Sequence, residues 1–234
     1  MNLTIVIPCK NEAKYIADTL NSLNNQIGID GIDVIVVDAR SDDDTLEILK
    51  DFRKRKSTKF KLHIINGGAV GYGRNRGANF IRRENIIFID ADVTLPNNLT
   101  IKSTYQLLNE FDLVTCNFES RSQSFMSKLA FKSFNFVRNN LMQEPFAVGG
   151  YFATTRKAFE LYDKFDESVT HSEDYLLSRK YNPEKFAVIT SMTATQDDRR
   201  FKKMGYFNFL WMLFINYINR NNINHYRRDI KYWD

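Results

Sequence analysis

Two aspartates one residue apart, Asp90 and Asp92, close a short apolar run in the stretch Asn85 to Pro96, NIIFIDADVTLP. Carboxylates at i and i+2 point to one side of a chain that stays extended. A hard cation takes such an oxygen pair, usually together with substrate phosphates. The same acids also suit a plain turn, and both readings stand on this segment alone. His171-Ser172-Glu173-Asp174 is a second acidic cluster, far away in sequence. A carboxylate there can act as general base on an attacking hydroxyl; it can equally open a helix, where Ser, Glu and Asp are favoured. His171 is read as a polar loop residue rather than a ligand.

Two further places have the right residue types. Asp38 ends the run IDVIVVD, where it can hydrogen-bond a nucleobase or ribose or serve as a helix N-terminal acid. Between Gly67 and Gly77, several glycines with Arg74 and Arg76 allow backbone and guanidinium groups to approach phosphates. The spacing Gly71-x-Gly73-x-x-x-Gly77 misses the dinucleotide pattern, and the lysine-containing phosphate loop is absent, so a plain glycine-rich turn fits as well.

These side chains need a scaffold, and the apolar pattern supplies one. Leu3–Pro8 reads as an apolar strand, Ile32–Asp38 as a buried one, Phe60–Ile65 as a third strand candidate and the NIIFID run as a strand buried on both faces. Helical spacing follows the first at Ala13, Ile16, Leu20 and Leu23 and the second at Leu46, Leu49 and Phe52, with Ser41 and Asp44 as a capping-box pair. The repeated strand–helix unit up to Asp92 predicts an α/β protein with a Rossmann-like, mixed but mainly parallel sheet flanked by helices. In such sheets ligands sit just outside the carboxyl ends of the strands.

Past Pro96 the pattern loosens. Leu99–Leu108 reads as a helix, Leu113–Phe118 as a strand, Phe125–Leu141 as an aromatic-rich helix or loop, and Phe146–Thr155 as strand-like with paired glycines. Arg156–Tyr162 and His171–Tyr181 read as short helices, and Phe186–Thr190 as a last strand.

A chain of 234 residues accommodates one sizeable α/β domain. The formal charge of +5 favours anionic partners without choosing among them. Two cysteines without a CxxC pair imply neither a disulfide framework nor a zinc site, and a reducing cytoplasm fits. With a strand at the very start, no signal peptide is expected. No recognised nucleic-acid motif is present, so nucleic acid is not an expected partner.

In order along the chain, IVIPCKNEAKYIADTLNSL, VIVVDARSDDDTLEIL, GRNRGA, FIDADVTLP, VGGYFATTRKAF and FDESVTHSEDYLLSRK resemble family 2 glycosyltransferases of the GT-A fold, over roughly residues 3 to 205. The resemblance implies transfer of a sugar from a nucleotide-diphosphate donor to a glycan or lipid-linked acceptor hydroxyl, with inversion. It makes Asp90 and Asp92 the family's DxD pair. Asp92 would hold Mg²⁺ or Mn²⁺ on the diphosphate, and Asp90 would contact the donor's ribose or sugar as well. Pro8, Asn11 and Glu12 resemble the first nucleotide-contacting loop, Asp38 the base-contacting acid, and Arg74 the arginine of an ARN-like segment. Asp174 matches the usual catalytic base, with Glu173 beside it.

Three departures qualify this. Asp38 is followed by Ala39 rather than a second acid, which leaves the nucleobase open. The family's GGFDE stands here as Lys164-Phe165-Asp166-Glu167, without its glycines. The QxxRW of processive synthases is only echoed by Gln196-Asp197-Asp198-Arg199-Arg200, which argues against a polysaccharide synthase. Arg199 and Arg200 can close over the diphosphate, although a solvated basic loop is the simpler expectation. On this reading residues 1–205 form the catalytic domain, with 1–95 as nucleotide-binding half and 96–205 as acceptor half. Residues 206–234 form an aromatic, basic helical tail. Such a tail either rests on the cytoplasmic face of an anionic membrane or packs on the core or a dimer partner. Two competing functions remain: a sugar nucleotidyltransferase, disfavoured because Cys9–Glu12 lacks glycine, and a non-catalytic nucleotide-binding protein of the same fold.

Overall fold

A computed structural model describes residues 1–228, leaving aside the side chains at 200, 201, 206, 207, 209, 210 and 213. The first half is built as the apolar runs predict. Strands β1 (Leu3–Cys9), β2 (Asp33–Asp38), β3 (Lys61–Asn66) and β4 (Asn85–Phe88) run parallel, joined by helices α1 (Ile16–Asn24), α2 (Thr45–Lys54) and α3 (Val70–Phe80). In the second half come α4 (Thr100–Leu107), β5 (Leu113–Ser120), α5 (Phe125–Asn140), β6 (Phe152–Thr155), α6 (Arg156–Leu161), α7 (Glu173–Ser178) and β7 (Phe186–Gln196). The sheet order is β3-β2-β1-β4-β6-β5-β7. β6 runs antiparallel to both of its neighbours, and β5 pairs parallel with β7. The expectation of a mixed, mainly parallel sheet holds.

Both faces of the sheet are covered, and strand alternation divides the core in two. Leu3, Ile5, Ile7, Val34, Val36, Ile87 and Ile89 pack on one side; Val6, Ile35, Val37, Ile86 and Phe88 pack on the other. On the second side Phe88 lies 5.0 Å from Phe165 and 5.4 Å from Phe159. Each such fully buried side chain contributes roughly 1.5–3 kcal/mol relative to exposure.

Four local expectations are corrected. Most of the glycine-rich stretch is not a turn: Gly71, Gly73 and Gly77 lie inside α3. A Cβ on Gly77 would stand 2.4 Å from Val6 Cγ1 and 2.8 Å from Val37 Cγ2, so this helix backbone rests directly on β1 and β2. Close packing outweighs the poor helix propensity of glycine. Ser41 is not a helix cap; its N–H and O–H both donate to Asp38, and α2 begins only at Thr45. The extended geometry ends at Phe88, and a turn brings Val93 N–H to the carbonyl of Asp90, so Asp90 and Asp92 do not sit on a strand. β7 continues six residues beyond Thr190, to Gln196, because Asn117–Ser120 of β5 pair with Thr193–Gln196.

The chain ends, within the described residues, in α8 (Arg199–Met204), α9 (Tyr206–Ile218) and α10 (Ile223–Tyr226). No helix among the described residues is long and apolar enough to cross a membrane.

Candidate active site

The carboxyl ends of β1, β2 and β4 lie side by side, and their loops are stitched together by hydrogen bonds. Pro8, half-buried in β1, pairs with Val37. Asn11 follows in a left-handed conformation, φ 54°, which asparagine tolerates better than most residues. Its N–H donates to Ser41 Oγ at 2.9 Å, and its Oδ1 accepts from Asp42 N–H at 3.0 Å. Glu12 N–H donates to Thr45 Oγ1 at 2.8 Å. Buried Asp38 accepts Ser41 N–H at 3.1 Å and Ser41 O–H at 2.5 Å.

Arg199 reaches this edge from 187 residues away in sequence. Its guanidinium grips both carboxylate oxygens of Glu12, approaches Asp92 Oδ2 at 3.4 Å and lies 5.1 Å from the Tyr15 ring. Arg121 lies over the same ring at 5.3 Å and donates to the Asp92 carbonyl. Burial raises the Glu12 carboxyl above its ordinary pKa, despite the opposing pull of Arg199. The expectation of a solvated loop at Arg199 is thus corrected: β7, paired with Thr94 just after the acids, carries the arginine into the site. The side chain of Arg200 lies outside the described residues.

Arg74 is the second centre. It is 1% exposed, and its Nη2 donates to Asp90 Oδ1 at 2.7 Å while Nη1 donates to Glu173 Oε1. The Phe165 ring lies 5.3 Å from its Cζ. Burial works against the charge of Arg74, but Glu173, Asp90 and Asp174 outweigh burial and raise its pKa. The neighbouring Asn75 fixes this geometry by bonding both backbone groups of Phe165 and the Glu167 carboxylate. Gly149 completes the cradle, because a Cβ there would stand 1.9 Å from Arg74 Nη2.

The sequence expectation for Arg74 and Glu173 therefore shifts. Arg74 is enclosed by acids rather than open to a phosphate. Glu173 is 3% exposed and faces Arg74. Burial pushes the Glu173 carboxyl up to about 7, against the pull of Arg74, whose single charge is shared with Asp90 and Asp174.

Asp174 is half-buried and held differently. Its Oδ2 accepts Gly149 N–H at 2.6 Å and its Oδ1 accepts Tyr175 N–H at 2.7 Å. The preceding residue but one, Ser172, is left-handed (φ 58°), and its Oγ accepts from Asn216 Nδ2 of α9 at 3.1 Å. Asn216 Oδ1 in turn meets His225 Nε2 at 2.8 Å, Tyr226 O–H donates to the Asn216 carbonyl, and Thr170 N–H donates to the Tyr226 carbonyl. His171, expected in a polar loop, is 1% exposed and packs against the His225 and Tyr226 rings.

Asp90 and Asp92 offer hard oxygen donors. Among the described residues no group of three or more His, Cys, Asp or Glu could hold an ion alone. The donor set fits a cation that completes its shell on substrate oxygens and water. Sequence reasoning missed Asn75, Tyr15, Arg121 and Gly149 as site residues. The adjacent pair Gly149-Gly150 was a usable signal for the last, since paired glycines mark close backbone approach.

The family model described as Glycosyl transferase family 2 matches residues 4–162. YfnE, an uncharacterised glycosyltransferase of Bacillus subtilis (strain 168), is 33% identical over 126 residues, which is 53% of this chain and 32% of YfnE. The poly(ribitol-phosphate) beta-N-acetylglucosaminyltransferase TarS of Staphylococcus aureus is 32% identical over 111 residues, 47% of this chain and 19% of TarS. The structure of TarS 1–349 in complex with UDP-GlcNAc matches with a TM-score of 0.63 at 22% identity, covering 84% of this chain and 59% of that one. The mannosyltransferase PcManGT from Pyrobaculum calidifontis, in complex with GDP-Man and Mn²⁺, matches with a TM-score of 0.66 at 18% identity, covering 83% and 56%. At these identities the two structures speak to the fold alone. The aligned part of this chain spans about a third or less of the two curated relatives.

Proposed function

Because the chain belongs to glycosyltransferase family 2 and has the GT-A fold, we propose that it transfers a sugar from a nucleotide-diphosphate donor to an acceptor hydroxyl with inversion. One observation carries the reading. Arg74 ties Asp90 to Glu173, while the adjacent Asp174 has its carboxylate aimed by two backbone N–H groups.

In this proposal Asp92, with Asp90, would hold Mg²⁺ or Mn²⁺, and such an ion would supply charge neutralisation for the leaving diphosphate. Pro8, Asn11, Glu12 and Asp38 line the nucleotide side, and Arg199 faces the diphosphate. Asp174 takes the proton from the acceptor hydroxyl as its oxygen attacks the anomeric carbon from the side opposite the diphosphate. A single displacement of this kind inverts the centre. Glu173 keeps Arg74 in place rather than touching substrate. The acceptor is a glycan or lipid-linked hydroxyl. The two buried free cysteines suit a reducing compartment, and the reaction is assigned to the cytoplasm.

The test uses UDP-, GDP- and dTDP-sugars with Mn²⁺, reading both the thermal midpoint and nucleotide release. One donor is expected to raise the midpoint by mass action and to lose that effect in Asp92→Ala. Asp174→Asn should keep the midpoint shift yet lower nucleotide release by about 10²- to 10⁴-fold. Full release in Asp174→Asn overturns the assignment of the base. A midpoint shift without any release in the wild type favours the non-catalytic reading.

A further inference from the structure

One face of α9 is left without a purpose by the chemistry above. Trp211, Phe214 and Ile218 are 54%, 50% and 57% exposed, and their i, i+3, i+7 spacing puts them on a single stripe. Asn216, buried at 4%, lies off that stripe and faces Ser172. Along the sequence, the charge flanking the stripe has one sign. From Arg199 to Arg228 every charged side chain is Lys or Arg, with no Asp or Glu in between. Lys202, ion-paired with Asp198 at 2.8 Å, and Lys203 before the stripe, and Arg227 and Arg228 after it, are exposed.

We propose that α9 docks the protein on an anionic lipid surface, lying flat with Trp211, Phe214 and Ile218 in the interfacial layer and the flanking cations against headgroup phosphates. Two arguments favour lipid over a second copy. Indole and phenyl rings beside cations are the composition that partitions into a headgroup boundary. A two-fold pairing of this face would instead oppose two purely cationic segments. The helix has 13 residues, about 20 Å of rise, too short for a hydrocarbon core of about 30 Å. It can therefore lie on a bilayer but not span it. The inference does not depend on which sugar, nucleotide or acceptor the site takes.

Sedimentation of the whole chain with vesicles tests it. Vesicles of phosphatidylglycerol mixed with phosphatidylcholine are expected to bind at least about tenfold more protein than phosphatidylcholine alone, with binding falling as salt rises. Trp211→Ser combined with Phe214→Ser should lose about tenfold or more of that binding. Because both side chains are exposed, the thermal midpoint should not move. Lys203→Gln with Arg228→Gln should lose about fivefold per cation removed. Three results overturn the proposal: no binding to anionic vesicles, equal binding to neutral ones, or a solution dimer that the Trp211/Phe214 variant abolishes.

Discussion

Replacing Gly149 with alanine should unseat Arg74. A Cβ at this position would stand 1.9 Å from Nη2, 2.6 Å from Cζ and 3.0 Å from Nη1. Ordinary contact at 3.4 Å requires the guanidinium to retreat by about 1.5 Å. Arg74 is fully enclosed, with Nη2 at 2.7 Å from Asp90 and Nη1 on Glu173. A retreat of that size stretches at least one of these contacts beyond hydrogen-bond range. A charge-assisted bond of this type is worth about 1.5–3 kcal/mol, and the abandoned carboxylate stays buried. The expected loss is about 2–4 kcal/mol, a large fraction of a typical 5–15 kcal/mol stability. Urea unfolding at constant m-value reads this as a lower midpoint. The diagnostic step is a double-mutant cycle with Arg74→Lys, which shortens the head group that the new methyl strikes. The alanine should cost at least about 1 kcal/mol less in the lysine background. Strict additivity, or a Gly149→Ala protein within about 0.5 kcal/mol of wild type, would refute the cradle argument.

Two further outcomes are expected. The Glu173 carboxyl is raised to about 7 from an ordinary 4.5, so its protonated form is the one the fold favours. The resulting stabilisation is fully present below about pH 4.5 and is lost as pH rises through about 7, a difference of roughly 3 kcal/mol. Glu173→Gln should therefore gain stability relative to wild type between pH 5 and 8; a constant difference across that range contradicts the reading. Arg199→Gln should weaken donor binding, measured by calorimetry, by about 10- to 100-fold, through loss of a charge-assisted phosphate contact. Unchanged affinity would place Arg199 in a purely structural pairing with Glu12.

The first half of the fold was legible because β1, β2 and β4 are buried on both faces and read as continuous apolar runs. The acids at their ends were legible for the same reason, since Asp38 and Asp90 stand where an apolar run stops. What escaped was decided by contacts remote in sequence. A plain glycine-rich turn was one reading of Gly67–Gly77, but the absence of a Cβ at Gly77 let α3 settle on Val6 and Val37. Ser41 had the form of a helix cap and was claimed instead by Asp38 three residues back. The partners of Arg74 lie 16 and 99 residues away, and Arg199 meets Glu12 across 187. No local pattern encodes such pairs, so two carboxylates that looked alike, Glu173 and Asp174, were separated only by the family resemblance and not by their surroundings in sequence. One faces a buried guanidinium; the other is held by backbone amides at a half-buried position.

The clasp between Ser172 and Asn216, reinforced by Thr170 with Tyr226 across 56 residues, has a consequence for the newborn chain. Synthesis runs from the N-terminus at about 5–20 residues per second. The donor-side strands and the segment carrying Glu173 and Asp174 therefore leave the ribosome seconds before Asn216 and Tyr226. During that interval the left-handed turn at Ser172 stands without its anchor, and the helix that also bears Trp211 and Phe214 is still unfinished. Translation thus imposes an order: the parallel strands and their acids emerge first, and the turn that leads into α7 gains its anchor only when Asn216 and Tyr226 arrive.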